Sequence, residues 1–295
     1  MTFPLLSRRF LLAAGAAGPL ASSVRAQGSG RRIVAAGGVI TEILYALDQQ
    51  DLLVGVDTTS LHPAAAMRDK ANVGYVRALS AEGVLSLKPT DLLAVEWAGP
   101  PDTIKLIAEA GVRVERVSED TSEAGVVARI RTIGAFAGAS TKAESLAARV
   151  AEDFAVLKRQ RDAIATPKRV LFILSLQNGR VMVGGAKSSA DAIIQLAGAV
   201  NAASAVEGYK PLTDEGLIAA APDVVLMMSH NTHAASPDQV FAQPALSATP
   251  AARTRSLVAM DALYLLGFGP RTADAARDLM KAVYGSALPV QSARP

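Results

Sequence analysis

Two runs of consecutive apolar residues punctuate the chain: Ile33-Val34-Ala35-Ala36, led in by Arg32, and Val170-Leu171-Phe172-Ile173-Leu174, led in by Lys168-Arg169. Neither shows the alternation of a strand with one wet face, so both predict strands buried on two sides, as in a parallel sheet. Each run is followed by a glycine-containing turn and then by apolar positions at helical spacing. Ile43, Leu44 and Leu47 predict a helix beginning near Thr41-Glu42, and Ile193, Ile194 and Leu196 another beginning near Ala190-Asp191. Both halves of the chain thus open as strand, turn, helix.

A repeat ties the halves together. Leu79-Ser80-Ala81-Glu82-Gly83-Val84, with Pro89, Leu92 and Leu93, aligns with Leu212-Thr213-Asp214-Glu215-Gly216-Leu217, with Pro222, Val225 and Leu226, at a constant offset of 133. In each copy a Ser or Thr caps a short helix with glutamate in its first turn, a proline stops the helix, and a buried strand follows. Gly74-Tyr75 and Gly208-Tyr209 also match, one residue out of that register. The pattern indicates an internal duplication.

Between the halves, Ala143, Leu146, Ala147, Val150, Phe154 and Leu157 recur every three or four residues behind Thr141-Lys142-Ala143-Glu144, which has capping-box spacing; Pro167 ends the run. The spacing predicts one amphipathic helix to about Ile164, and about 24 residues at about 1.5 Å each span about 36 Å. Such a helix is a stiff strut between two α/β lobes. The predicted divisions are an N-terminal lobe over 27–139, the helix over 140–166 and a C-terminal lobe over 167–295. A ligand cleft with limited closure follows, since ligands of open α/β sheets sit at the carboxyl ends of the strands.

Composition sharpens this picture. The chain has 295 residues, 50% of them hydrophobic, enough for two cores and too many for a disordered chain. Its formal charge is +3, but residues 1–26 hold Arg8, Arg9 and Arg25 and no acid, so the remainder carries 27 basic against 27 acidic residues. A neutral body attracts no phosphate backbone, and no nucleic-acid partner is expected. With no cysteine, disulfides, thiolate metal sites, a cysteine nucleophile and a lipid-anchoring cysteine are all excluded.

Residues 1–26 read as a cleaved export signal. Arg8-Arg9 lies in a basic stretch, Leu11 to Leu20 is uncharged and largely apolar, and Val24-Arg25-Ala26 offers a small-x-small cleavage site, leaving 269 residues. The paired arginines fit a twin-arginine signal or a general secretory one. The apolar run is shorter than the roughly 20 residues of a membrane span. A free periplasmic protein of a two-membrane bacterium is expected.

Enzyme motifs fail in turn. There is no G-x-S-x-G elbow and no H-E-x-x-H helix. Gly184-Gly185-Ala186-Lys187-Ser188-Ser189 lacks the glycine before lysine of a phosphate loop, and Gly267-Phe268-Gly269-Pro270 has proline where a dinucleotide loop needs a donor; it reads as a turn before a last helix over 271–284. No enzyme is expected. A hard divalent-metal site is poorly supplied by His62, His230 and His233. His62 reads as a solvated loop residue; His230 and His233 follow the apolar run Val224–Met228 and are either loop histidines or auxiliary contacts in the cleft.

One segment carries more. Val73-Gly74-Tyr75-Val76-Arg77-Ala78-Leu79-Ser80-Ala81-Glu82-Gly83 is similar to the tyrosine loop of periplasmic haem-binding proteins, the capture subunits of bacterial haem importers. The resemblance extends through Ala36-Gly37-Gly38, Val54-Gly55-Val56-Asp57-Thr58-Thr59-Ser60, Ala98-Gly99-Pro100-Pro101 and Gly267-Phe268-Gly269-Pro270-Arg271. It implies a class III periplasmic binding fold, two α/β lobes joined by a single long helix, with Tyr75 as ligand to the iron of a ferric haem carried as cargo and no catalytic cofactor. It further implies an ABC haem permease as partner, with Glu82 and Glu215, one per lobe, docking on its two subunits. An outer-membrane haem receptor system upstream and a monomeric state belong to the same expectation. A siderophore or corrinoid binder of the same fold is the alternative, ahead of a periplasmic haem chaperone or enzyme.

The chemistry of the tyrosine segment is coherent by itself. A phenolate oxygen is a hard anionic donor suited to ferric iron. In an extended segment residues i and i+2 point the same way, so Arg77 can bring its guanidinium to the Tyr75 oxygen and favour the anion; a solvated charge or a pairing with a ligand carboxylate are the other readings of Arg77. Trp97, the only tryptophan, either stacks on the ligand or fills the lobe core. Tyr209 joins the expected pocket as the match of Tyr75. Ser175-Leu176-Gln177-Asn178 holds no histidine, which puts a second axial ligand and a stacked pair of haems in doubt.

Overall fold

The computed structural model describes residues 30–177, 180–229 and 236–285. The leader, Asn178, His230 and His233 lie outside them. The apolar runs form strands where expected, because Ile33, Val34, Phe172 and Ile173 have no accessible surface and only a sheet covered on both faces buries consecutive residues. The first sheet consists of β1 (Ile33–Ala36), β2 (Leu53–Val56), β3 (Ala71–Asn72), β4 (Asp91–Val95) and β5 (Arg113–Val117). Its order is β3-β2-β1-β4-β5 and every pairing is parallel. The intervening helices are α1 (Gly38–Ala46), α2 (Ala65–Asp69), α3 (Ala81–Leu85), α4 (Pro101–Glu109) and α5 (Glu123–Phe136).

The second sheet is not a copy of the first. It contains β6 (Arg169–Gln177), β7 (Arg180–Gly184), β8 (Val200–Asn201), β9 (Tyr209–Leu212), β10 (Val224–Ser229) and β11 (Leu257–Asp261), in the order β11-β10-β6-β7-β9. β6 pairs in parallel with β10, and with β8 along its first residues; its later residues turn back into β7, which pairs antiparallel with both β6 and β9. The direct strand-turn-helix expected after Leu174 is therefore corrected. A hairpin arm comes between β6 and α7 (Ser189–Leu196), and Gly184–Ser189 ends that arm and caps α7 through Ser188. Further on lie α8 (Asp214–Ala220), α9 (Pro237–Phe241), α10 (Pro244–Ser247), α11 (Pro250–Thr254), α12 (Ala262–Leu266) and α13 (Thr272–Tyr284). The duplication survives in its caps: Ser80 accepts from the Gly83 N–H at the start of α3, and Thr213 from the Gly216 N–H at the start of α8.

Helix α6 (Ser140–Asp162) joins the lobes, and its buried face consists of the six residues the periodicity selects, Ala143, Leu146, Ala147, Val150, Phe154 and Leu157. Its 23 residues extend for about 34 Å. The expected capping box does not form: no side chain caps the helix, and Glu144 instead accepts two hydrogen bonds from Arg131 of α5, at 2.7 and 2.8 Å. The architecture is the class III periplasmic binding fold, two α/β lobes joined by a single long helix. Two side chains also bind the lobes directly. Arg271, just before α13, makes a two-pronged ion pair with Glu42 of α1, both contacts at 2.8 Å, and buried Arg129 of α5 donates to the Phe268 carbonyl.

Candidate functional site

The floor of the interlobe cleft begins where β1 gives way to α1. A β-carbon at Gly38 would lie 2.1 Å from the Thr59 carbonyl oxygen, so only glycine lets α1 start against that loop. Asp57, with no accessible surface, accepts from the Gly37 N–H at 2.8 Å, the Thr59 N–H at 2.9 Å and the Thr59 hydroxyl at 2.7 Å, while Thr59 Oγ1 accepts from the Gly38 N–H at 2.8 Å. Ala36-Gly37-Gly38 and Asp57-Thr58-Thr59-Ser60 are thus one polar network with the carboxylate satisfied by donors, the condition under which a buried charge is tolerated.

Above this floor Tyr75 stands on a turn fixed from both sides. The Gly74 carbonyl accepts from the Thr58 N–H at 2.9 Å, the Val76 carbonyl from the Gly99 N–H at 2.9 Å, and the Gly99 carbonyl from the Leu79 N–H at 2.9 Å. The backbone is not the extended segment expected: the Tyr75 carbonyl accepts from the Ala78 N–H at 2.7 Å, which closes a turn over Tyr75–Ala78. Arg77 leaves that turn with its guanidinium 4.4 Å from the centre of the Trp97 ring. Among the described residues neither the Tyr75 hydroxyl nor Arg77 has a side-chain hydrogen bond. The turn bearing Trp97 is itself held by Arg116, whose Nη1 donates to the carbonyls of Val95, Glu96 and Ala98 at 2.9, 2.9 and 3.0 Å. Trp97 is 41% exposed and Tyr75 47%, so the reading of Trp97 as core filler is corrected; it forms cleft wall.

Two adjoining cavities share this wall. One, of about 430 Å³, is apolar, with Val39, Leu61, Val95, Met228, Leu263 and Leu266 around Tyr75 and Trp97. The other, of about 650 Å³, is more polar: Tyr75, Arg77, Trp97 and Glu119 from the N-terminal lobe face Lys187, Ser189 and Tyr209 from the C-terminal lobe. Leu266 and Gly267 border both. Volumes of this size suit a drug-sized or cofactor-sized ligand.

Sequence reasoning missed Glu119 and Arg129. Burial pushes the Glu119 carboxyl up from its ordinary value, against the opposing influence of the Trp97 indole and of Arg129 and Arg77. Burial likewise pushes the Arg129 guanidinium down. Arg129 is only 4% exposed and spends its donors on the Ser118 carbonyl at 2.7 Å, the Asp120 carbonyl at 3.1 Å and the Phe268 carbonyl. Since those partners are backbone groups remote in sequence, no residue pattern announces them. Glu82 and Glu215 lie away from the cleft lining, exposed in the first turns of α3 and α8. His62 is exposed. Among the described residues no group of three or more histidines and carboxylates could hold a metal ion, and no helix is long and apolar enough to cross a membrane.

Comparison with known proteins gives these features a context. The family described as periplasmic binding protein matches residues 33–264. A solved structure described as periplasmic heme-binding protein BhuT in complex with two hemes is 39% identical, with a TM-score of 0.81 over 86% of this chain and 97% of that one. The periplasmic heme-binding protein RhuT from Roseiflexus sp. RS-1, in apo form, is 38% identical, with a TM-score of 0.82 over 87% and 98%. Among curated proteins, an uncharacterized ABC transporter substrate-binding lipoprotein, YvrC, of Bacillus subtilis is 26% identical over 83% of this chain and 77% of its own length. A cobalamin-binding protein of Halobacterium salinarum is 26% identical over 66% and 53%. The chain belongs to the periplasmic binding protein family.

Proposed function

We propose that this member of the periplasmic binding protein family captures ferric haem between its lobes, with Tyr75 as the iron ligand, and delivers it to an ABC importer. The observation that carries the reading is the placement of Tyr75: a half-exposed phenol on a turn pinned by the hydrogen bonds of Gly74 and Val76, standing where an apolar and a polar cavity meet. An apolar chamber beside a polar one suits an amphipathic macrocycle, and a phenolate oxygen suits ferric iron. The likeness to two haem-binding structures at 39% and 38% identity supports the same ligand. Arg77 and Trp97 flank the iron site, and Tyr209 faces it from the other lobe. His230 and His233 remain auxiliary contacts to be tested, outside the described residues.

The chain acts as a binding protein rather than a catalyst, the role of its family. Residues 1–26 direct export, the mature protein works in the periplasm as a monomer of two lobes over 27–139 and 167–295, and an outer-membrane haem receptor system supplies its cargo. Glu82 and Glu215, exposed at matching helix starts, dock on the two permease subunits. A corrinoid is the second reading, favoured by the cobalamin-binding relative. Equilibrium titration with hemin decides the ligand assignment: Tyr75→Ala removes most of the affinity while leaving the fold intact, and unchanged affinity and spectrum would refute the role of Tyr75.

A further inference from the structure

Val39, Tyr75, Trp97 and Glu119 of the N-terminal lobe and Leu266 and Gly267 of the C-terminal lobe border both cavities, so the throat between the two chambers runs between these residues. One guanidinium is bonded to both sides of that throat. Arg129 Nε donates to the Ser118 carbonyl at 2.7 Å and Nη2 to the Asp120 carbonyl at 3.1 Å, and these two residues flank Glu119. Its Nη1 donates to the carbonyl of Phe268, the residue next after Leu266-Gly267. Three different nitrogens thus serve three carbonyls, a use of the planar fork that an ammonium on a flexible stem does not reproduce.

The surroundings show that this contact holds something in place. Arg129 is 4% exposed, and a buried cation bonded only to backbone groups is costly to keep. Burial pushes the guanidinium down, and Glu119, itself a throat residue, leads the acids that oppose the shift. On the opposite side Phe268 is buried with φ +50°, a left-handed conformation that strains a residue bearing a side chain. Three residues on, Arg271 ties the same loop to Glu42 of α1. The loop is therefore clamped to the N-terminal lobe on either side of Gly269-Pro270, and the residues just before the clamps face the cleft.

We infer that Arg129 is a positioning residue that fixes the spacing of the throat, and through it the thickness of the ligand the cleft admits. It acts through Glu119 on one side and Leu266-Gly267 on the other. The inference rests on the haem reading above for the class of ligand: a fixed gap selects a flat macrocycle over one capped on both faces.

The experiment compares two ligands that share one porphyrin rim and differ in thickness. Iron-free protoporphyrin IX is flat; cobalt(III) protoporphyrin IX carrying two imidazoles on the metal is capped on both faces and exchanges its axial groups slowly. Neither forms a bond to Tyr75, so the readout is separate from iron ligation. Binding of each to the full mature chain, Arg129→Lys and Arg129→Met is followed by quenching of Trp97 emission, with thermal melts to show that the variants are folded and hemin titrated alongside. Arg129→Lys keeps the charge and loses the fork, so a change shared by both variants is not an effect of charge.

The expected result is a wild type that prefers the flat porphyrin, with that preference reduced about tenfold in both variants, the size of effect carried by residues that couple through packed neighbours. A wild type that binds the two porphyrins equally, or folded variants that keep the wild-type preference, would overturn the inference and leave hemin binding through Tyr75 standing. Loss of affinity for both porphyrins by the same factor, or failure of both variants to fold, would also overturn it, because the role of Arg129 would then be structural alone. A wild-type chain that binds no hemin would overturn the haem reading and this inference with it.

Discussion

Removing Arg271 should loosen the joint between the lobes more than any single truncation at the cleft surface. Arg271 Nε and Nη2 each lie 2.8 Å from a Glu42 carboxylate oxygen, and the Glu42 side chain is 7% exposed against 30% for Arg271. Arg271→Ala leaves that carboxylate buried without its partner. Breaking a buried pair from one side costs about 3–5 kcal/mol, and the partial exposure of Arg271 places this case near the lower end, about 3 kcal/mol. At about 2–4 °C per kcal/mol for a chain of this size, Tm falls by about 6–12 °C. Replacing both partners, Glu42→Met with Arg271→Met, strands no charge and should come within about 1 kcal/mol of the wild type. Urea unfolding and thermal melts of the wild type, the single variants Arg271→Ala and Glu42→Met, and the Met/Met pair give the comparison. A loss below about 1 kcal/mol for Arg271→Ala would refute the reasoning, since that is the worth of an exposed pair. So would a Met/Met variant as unstable as Arg271→Ala. Because Leu266 and Gly267 border both cavities just upstream of Arg271, Arg271→Ala should also release bound ligand faster.

Other expectations follow from the same geometry. Glu119→Gln should flatten a pH dependence of stability: the folded carboxyl titrates above its ordinary value of 4.5, so the folded state holds its proton longer than the unfolded one and wild-type stability falls as pH rises from about 4.5 through the raised value. Equal slopes in wild type and variant, read from urea midpoints across that window, would contradict this. Arg77→Ala removes a cation stacked 4.4 Å from the Trp97 ring centre, costing about 0.5–1 kcal/mol and shifting the emission of the chain's one tryptophan; an unchanged emission spectrum would argue against the stack. The double change Glu82→Lys with Glu215→Lys should abolish haem-dependent ATPase stimulation in reconstituted permease vesicles while leaving hemin affinity in solution unchanged, and wild-type stimulation would refute docking through these residues.

How much of this was legible in the sequence depends on how local the cause is. The buried face of α6 could be named residue by residue because 3.6-residue periodicity is a property of the chain alone. The matched caps Ser80 and Thr213 were equally readable, since a cap acts over three residues. The arm β7 was hidden, because Arg180–Gly184 offers only two fully buried side chains, Val181 and Val183, and its partners are chosen by the sheet. The capping box at Thr141 failed for a similar reason: Arg131 on a neighbouring helix competes for Glu144. At the site, Tyr75 and Trp97 stand out by residue type, but extended-chain geometry misdescribed the path to Arg77 because the Tyr75 carbonyl closes a turn onto Ala78. Arg116 and Arg129 escaped altogether, and Asp57 was marked only as part of a segment that carries the resemblance, without its role in the floor of the cleft. Each is satisfied by a set of partners that includes backbone groups well removed along the chain, a pattern no spacing encodes.

The central claim is that the cleft is built for ferric haem held by a phenolate. Titration of the purified mature protein with hemin, and separately with cobalamin under identical conditions, followed by heat and by visible absorbance, tests it most directly. The account predicts saturable hemin binding accompanied by a phenolate-to-iron charge-transfer band, with no heat from cobalamin. Cobalamin binding without hemin binding, or hemin binding with no phenolate signature, would contradict it.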